Sequence, residues 1–254
     1  MVLPIGDDNS DRATTPYVNY LIIAANLLVF VFLQGMGTND RFTYAFSTVP
    51  EEIVTGRDIT TRPRVVEEPL TRERMEVPGL QPTPGSVYLT LLISMFMHGG
   101  WAHILGNMLF LWIFGDNIED RLGHLRYLIF YLVCGVLASL AHVFTTVAFG
   151  SNPLVPSLGA SGAISGVLGG YILLFPRRQV HVILFRFLTT VPAYVALGMW
   201  FLFQFISGIG MLGGGSQAGG VAYAAHIGGF IAGLLLVKVF AVGRGPAAPQ
   251  WRGY

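Results

Sequence analysis

The chain has 254 residues, of which 53% are hydrophobic and only 11% are charged, whereas soluble domains carry about 25% charged residues. Together with a mean hydropathy of +0.60, this composition indicates a protein that crosses a lipid bilayer several times and excludes an ordinary soluble domain. The formal net charge of +1 gives no sign of a nucleic-acid partner, and the single cysteine, Cys134, excludes an intramolecular disulfide.

Six apolar segments are candidates for crossing the bilayer. They cover residues 17–35, 101–115, 127–149, 158–175, 188–206 and 221–242. Backbone groups in lipid must hydrogen-bond within their own segment, so each span is predicted to be a helix and the fold class to be all-α, a polytopic bundle of six transmembrane helices. The fifth span contains Pro192, which a membrane helix can tolerate. The first span lacks the flanks of a cleaved signal peptide, so we expect it to be a true span.

The polar segments around these spans divide the chain into three parts. Residues 1–16 form an N-terminal segment, residues 17–242 form the membrane domain with a long first loop (36–100), and residues 243–254 form a tail that is expected to be loose. Within the first loop, residues 88–97 are apolar but too short to span. They predict an interfacial or re-entrant helix.

The distribution of Arg and Lys in the short loops predicts the orientation. Arg121 and Arg126 follow the second span, and Arg177 and Arg178 follow the fourth, whereas the loops after the third and fifth spans have no basic residue. Both termini are therefore expected in the cytoplasm. The long first loop would place six arginines outside, but it also carries eight acidic residues, and long loops translocate largely regardless of charge.

Four polar residues on three spans are predicted to share one depth. His103 and Asn107 lie one helical turn apart near the start of the second span, while Ser161 and His226 lie a few residues into the fourth and sixth. A rise of about 1.5 Å per residue puts all four within one to two turns of the outer surface. Each alone has an ordinary interpretation as a small packing residue or an interhelical hydrogen bond. Their common depth favours a functional site, since such residues are costly in a membrane.

The residue types fit acyl transfer. A serine hydroxyl needs a base to take its proton, and histidine suits that task near neutral pH. His103, Asn107 and the backbone N–H of Ser161 are donors that could stabilise an oxyanion. Gly159 and Gly162 leave room for a peptide carbonyl beside the hydroxyl. No carboxylate is predicted at this depth, so the sequence predicts a Ser-His dyad.

Three stretches carry a resemblance to a known family. They are HGGWAHILGNMLFLWIFG (98–115), GASGAISGVLGGY (159–171) and AHIGGFIAG (225–233). With these motifs in this order, the chain resembles the rhomboid family of intramembrane serine proteases. The resemblance implies that Ser161 is the nucleophile and His226 the base, and that His103 and Asn107 supply the oxyanion side chains.

The resemblance also implies supporting roles. His98 would support the site without taking part in the chemistry, and Gly229 and Gly233 would pack the sixth span on the fourth, a GxxxG contact that their spacing predicts independently. Glu119 and Arg121 resemble a structural polar pair. The fifth span resembles the side where substrate enters; its aromatic residues are Trp200, Phe201, Phe203 and Phe205. An aromatic residue often follows the nucleophile by one turn in this family, but here that position is Ser165. The first loop also lacks the Trp-Arg pair of some members.

The predicted function is therefore that of a serine endopeptidase of the cell membrane, which cleaves single-span membrane proteins near the outer leaflet. No cofactor or metal is expected, since the HExxH motif of zinc proteases and a pair of membrane-embedded aspartates are both absent from the sequence. A catalytically inactive scaffold that binds membrane proteins is the alternative; a transporter would place its polar groups nearer the midplane. The remaining histidines, His124, His142 and His181, are expected away from the site. The oligomeric state is not predicted.

Overall fold

The computed structural model describes residues 2–67, 74–184, 186–212 and 222–244. The α-helices and β-strands of these ranges, in chain order, are β1 (Val2–Asp7), α1 (Tyr17–Leu28), α2 (Asp40–Phe46), α3 (Pro50–Thr55), β2 (Arg64–Glu67), β3 (Arg74–Val77), α4 (Thr90–Ile93), α5 (Trp101–Leu122), α6 (His124–Ala148), α7 (Ser161–Leu174), β4 (Gln179–Leu184), β5 (Phe187–Pro192), α8 (Ala193–Leu212) and α9 (Tyr223–Phe240). A π-helical segment, Val29–Leu33, continues α1. Most of the predicted tail, residues 245–254, lies outside the described ranges.

The long apolar helices coincide with the predicted membrane spans. Within the described ranges, α6 and α9 have both the length and the hydropathy of a span, with mean hydropathies of 2.1 and 1.7. The short helical segment Val87–Phe96 and α5 meet at a bend of 78°. Together they have the length and hydropathy of a third span if they form one broken helix. Three shorter apolar helices cover residues 17–33, 161–174 and 193–209. Phe32, Phe144 and Leu235 are more than two-thirds exposed, as expected for a surface that faces lipid.

Two small sheets correct the all-α prediction. At one end of the helices, β1, β4 and β5 form an antiparallel sheet in that order, in which Asp7 faces Val180 and Gln179 faces Pro192. In the first loop, β2 and β3 form an antiparallel hairpin. Residues 179–184 alternate between outward and inward side chains at their start, which is the period of a half-buried strand rather than of a loop.

Three predicted span boundaries are also wrong. The fifth span begins at Ala193 because Pro192 ends β5, and proline cannot supply the N–H that a helix interior needs. The fourth begins at Ser161 instead of residue 158. The second continues past residue 115 to Leu122, since its last two turns bury acidic residues against the N-terminal segment.

Those acidic residues anchor the N-terminal segment to the end of α5. Glu119 is fully buried and accepts hydrogen bonds from the backbone N–H groups of Val18 and Asn19 at 2.9 and 2.6 Å. These amides belong to the first turn of α1, where a helix has no internal acceptor for them and favours a negative charge. Asp116 forms an ion pair with Arg12 at 2.5 Å. Arg121 donates to the carbonyl of Arg244.

Helices α7 and α9 pack backbone against backbone through glycines. A Cβ atom at Gly229 would lie 2.1 Å from the carbonyl oxygen of Gly162, and one at Gly233 would lie 1.9 Å from that of Gly166. Both distances are far below van der Waals contact, so the helices could not pack this closely with any side chain there. This close packing places the N-terminal ends of α7 and α9 next to each other.

Candidate active site

Ser161 and His226 meet where α7 and α9 begin. Ser161 is the first residue of α7 and His226 is the fourth of α9. The Oγ atom of Ser161 lies 2.7 Å from Nε2 of His226, within the normal range for a hydrogen bond of this kind. A serine hydroxyl that is hydrogen-bonded to an imidazole nitrogen is the arrangement of an activated nucleophile and its base.

The position of Ser161 at the helix terminus has a chemical consequence. The first N–H groups of a helix have no intrahelical acceptor, and the helix dipole favours negative charge there. The sequence had indicated a serine a few residues inside the span; the structure corrects this to the first position of the helix. The backbone N–H of Ser161 is therefore one of the groups that α7 leaves without an internal partner.

Gly159 allows His103 to lie beside the nucleophile. Its φ angle is +130°, a conformation that side chains disfavour. A Cβ atom at this position would lie 2.9 Å from both Cε1 and Nε2 of His103 and 3.7 Å from Oγ of Ser161. The imidazole of His103 and the hydroxyl of Ser161 therefore approach the same small space from two helices.

His103 and Asn107 each have a donor that no other described residue uses. The backbone N–H of Gly99 donates to Nδ1 of His103 at 3.2 Å, so the neutral ring carries its proton on Nε2, the nitrogen near Gly159. Asn107 is only 8% exposed. Among the described residues, its amide nitrogen is buried and has no hydrogen-bond partner. A buried donor without a partner is costly, and at this place it is suited to an oxyanion.

His98 lies next to this pair. Its ring packs edge-to-face on His103, with ring centres 5.0 Å apart. The side chain of Gln34 fixes its backbone, accepting from the His98 N–H at 2.8 Å and donating to the His98 carbonyl at 3.0 Å. Sequence reasoning did not find Gln34. The available signal was an amide at the end of an apolar span, where a polar side chain needs a specific partner.

The second ring nitrogen of His226 also has a partner that the sequence did not indicate. Nδ1 lies 2.8 Å from Oε1 of Gln204 on α8. Trp200, one turn earlier on α8, has its ring centre 6.0 Å from that of His226. Ser165, one turn after Ser161, donates its hydroxyl to the carbonyl of Ser161 at 2.6 Å. The group that meets the second ring nitrogen of the base therefore comes from α8, while α7 supplies the nucleophile.

The other histidines are placed in different ways. His124 lies beside Glu119 at the opposite end of the helices, and His181 on β4 lies 3.0 Å from the hydroxyl of Thr190. His142 lies on α6, six residues before its last residue, Ala148. Within the described ranges, no group of three or more His, Cys, Asp or Glu side chains is placed to hold a metal ion.

The geometry of these helices agrees with the family comparison. A family model described as "Rhomboid domain" matches residues 85–242, which include all three motifs. The chain belongs to the rhomboid family.

Curated relatives include proteases and mitochondrial proteins. The chain is 28% identical to the rhomboid protease GluP of Bacillus subtilis over 222 residues, 86% of this chain and 34% of that protein. It is 33% identical to the mitochondrial rhomboid protein 1 of Saccharomyces cerevisiae over 147 residues, 58% of this chain and 40% of that protein. It is also 35% identical to the human presenilin-associated rhomboid-like protein, mitochondrial, over 42% of this chain and 30% of that protein. The rhomboid chain thus spans well under half the length of these relatives.

Proposed function

We propose that this rhomboid is an intramembrane serine endopeptidase that uses Ser161 and His226 as a catalytic dyad. The observation that carries the proposal is the 2.7 Å contact between the Ser161 hydroxyl and Nε2 of His226. His103 lies beside Gly159, two residues before the nucleophile, Asn107 one turn along the same helix keeps a buried amide donor without a partner among the described residues, and the family includes a relative named as a protease, GluP.

The proposed chemistry follows from where each proton lies. His226 Nε2 takes the proton of the Ser161 hydroxyl as its Oγ attacks the carbonyl carbon of a peptide bond. The carbonyl oxygen becomes an oxyanion, which the Ser161 N–H, the Asn107 amide and the protonated Nε2 of His103 stabilise by hydrogen bonds. The His226 proton then passes to the leaving amine, and water, activated by the same imidazole, hydrolyses the acyl-enzyme.

The space beside the nucleophile favours a small side chain before the cut. A cavity of about 30 Å³ adjoins Ser161, room for about two water molecules. Its lining consists mostly of small residues, among them Gly135, Ser139, Ser157 and Ala225. The methyl group of an Ala before the scissile bond would fit this cavity and Gly would leave it open, whereas a large residue would displace the lining.

The proposed membrane arrangement has six spans with both termini in the cytoplasm. In support, the basic residues that predict the cytoplasmic side lie at the end opposite the dyad: Arg126, for example, donates to the Phe240 carbonyl at the end of α9. The site would then lie close to the extracytoplasmic surface of the cell membrane, with access to water. The proposed substrates are single-span membrane proteins that reach the site from the bilayer.

A serine-reactive fluorophosphonate probe tests the dyad. Wild-type protein in detergent should be labelled, Ser161→Ala and His226→Ala should not, and Ser165→Ala, a matched serine one turn further along α7, should keep its label. A tagged single-span substrate in liposomes should be cut by the wild type but not by Ser161→Ala or His226→Ala. Sequencing the new terminus of the product then locates the cut. Folded wild type that neither reacts nor cleaves would refute the proposal and favour the inactive scaffold.

A further inference from the structure

The outer half of α8 has an unusual buried residue. The side chains of α8 are described as far as Ile209. Between Gly198 and Ile209, Gln204 is the one buried residue, at 7% exposure, while Phe203 and Phe205 beside it are 62% and 45% exposed. An amide is costly to bury unless it is hydrogen-bonded. Gln204 therefore depends on its contact with Nδ1 of His226, at 2.8 Å.

The two contacts of the His226 ring together fix where its proton lies. Nε2 must be free of a proton to accept from the Ser161 hydroxyl, so the neutral ring must carry its proton on Nδ1. An Nδ1–H needs an acceptor, and the carbonyl oxygen Oε1 of Gln204 is one. If the amide were turned over, its NH₂ group would donate to Nδ1 and force the ring proton onto Nε2, where it would block acceptance from serine.

We propose, on the basis of the proposed protease function, that Gln204 is a positioning residue that holds His226 in its Nδ1–H tautomer and in the ring plane that faces Ser161. It stands where a carboxylate stands in a Ser-His-Asp triad. When the serine proton moves to Nε2, the Nδ1–H of the imidazolium keeps the same acceptor. The neutral amide does not take that proton, which stays on the ring until the leaving amine receives it.

An amide suits this place better than a carboxylate. A buried carboxylate would need a compensating charge or several donors, whereas an amide carbonyl accepts from the ring without adding a charge to the membrane interior. Trp200, one turn away on the same helix, lies beside the same ring and limits its rotation. Ser165, one turn after the nucleophile, therefore need not supply that restraint.

The alternative is that Gln204 only attaches α8 to α9. Interhelical hydrogen bonds of this kind stabilise membrane helix pairs, and a purely structural role would change stability or substrate binding but not the protonation of the ring. The two roles are separable by the split between kcat and KM and by the tautomer of His226.

Three variants test the proposal: Gln204→Leu, Gln204→Glu and, as a matched control on the exposed face of the same helix, Met199→Leu. Gln204→Leu should lower kcat by roughly tenfold to a hundredfold and leave KM within about twofold, because the ring loses its orientation but not its substrate. Gln204→Glu restores an acceptor and should be faster than Gln204→Leu, although its buried charge keeps it below the wild type. Met199→Leu should match the wild type in both parameters. An unchanged kcat in folded Gln204→Leu would overturn the proposal.

Nuclear magnetic resonance of protein with ¹⁵N-labelled histidines gives a readout that does not depend on activity. At pH 8 the wild-type His226, identified by the signal that His226→Ala removes, should have a protonated Nδ1 and a non-protonated Nε2. Gln204→Leu should shift the ring toward the opposite tautomer. A wild type with the predicted tautomer but no protease activity would refute the proposed function and support the positioning role, while an active wild type with the proton on Nε2 would refute the positioning role alone.

Discussion

Gly233→Ala tests whether glycine packing between α7 and α9 sets the geometry of the dyad. The added Cβ atom would lie 1.9 Å from the carbonyl oxygen of Gly166 and 2.6 and 2.8 Å from its C and Cα atoms. All three are backbone atoms, so no side chain can turn aside to relieve the clash. The helices must separate locally by about 1 Å before the oxygen contact reaches even a tight distance.

That separation is expected to reach the site, because Ser161 and His226 lie on the same two helices only two turns away. Their 2.7 Å hydrogen bond weakens quickly with distance, and a misplacement of about 1 Å can lower a catalytic rate roughly a hundredfold. We therefore expect Gly233→Ala to lower turnover by about ten- to a hundredfold. Overpacking of this kind should also lower the free energy of unfolding by about 1–3 kcal/mol.

The assay is cleavage of a tagged single-span substrate in liposomes, paired with thermal unfolding in detergent. Gly198→Ala is the matched control, since a Cβ atom at Gly198 on α8 would have no atom within 4 Å, and it should change neither turnover nor melting temperature appreciably. If Gly233→Ala unfolds at the wild-type temperature and cleaves at the wild-type rate, the link between glycine packing and dyad geometry is refuted.

Three further predictions concern single side chains. Asn107→Ala should lower turnover by about ten- to a thousandfold without lowering the melting temperature, because it removes a buried donor that has no other use; unchanged turnover would remove Asn107 from the mechanism. His181→Ala should leave turnover unchanged, since this side chain lies on β4 at the far end of the molecule, and loss of cleavage by folded variant would contradict the site. Burial raises the pKa of Asp7 from 3.8 to about 7, so the folded protein holds a proton that the unfolded chain has released, and stability falls as the pH rises from about 4 to 7. Asp7→Asn should remove this loss, so the melting temperature of the variant minus that of the wild type should be larger at pH 8 than at pH 5. A difference that is the same at both pH values would contradict the burial argument.

The sequence predicted that Ser161 and His226 meet. The spacing of His103 and Asn107 and the depth of Ser161 and His226 follow from helix geometry alone, and the structure brings Ser161 and His226 into contact. The close approach of the glycines on α9 to α7 was likewise predictable, because the spacing of Gly229 and Gly233 leaves one face of the helix without side chains. Helix periodicity and residue size carry the spacing and the close packing, whereas the roles of the four polar residues were implied by the resemblance of the motifs.

The β-sheet at the end of the helices was not predictable in the same way. The strand β1 pairs with β4, with Val2 facing Leu184, and nothing in its short sequence specifies a partner so distant in the chain. The β4–β5 hairpin did leave a signal in the alternation that begins at Gln179. This signal was overlooked because the fifth span was predicted to include Pro192. Proline is better tolerated at a strand end or just before a helix begins.

Gln204 was missed for a different physical reason. A lone amide in an apolar helix signals a partner but does not identify it, because the rotation of α8 about its axis and its distance from α9 depend on packing that the sequence does not encode locally. The motif-bearing helices α7 and α9 are fixed by backbone contacts at glycines, and such contacts leave a pattern. Between Gly198 and Ile209, α8 instead buries a single described side chain, Gln204. The helix that orients the base therefore leaves a weak trace in the sequence, since it docks on α9 through the Gln204 hydrogen bond and a few ring contacts, such as Phe201 on Phe230 with ring centres 4.4 Å apart, rather than through a repeating glycine pattern.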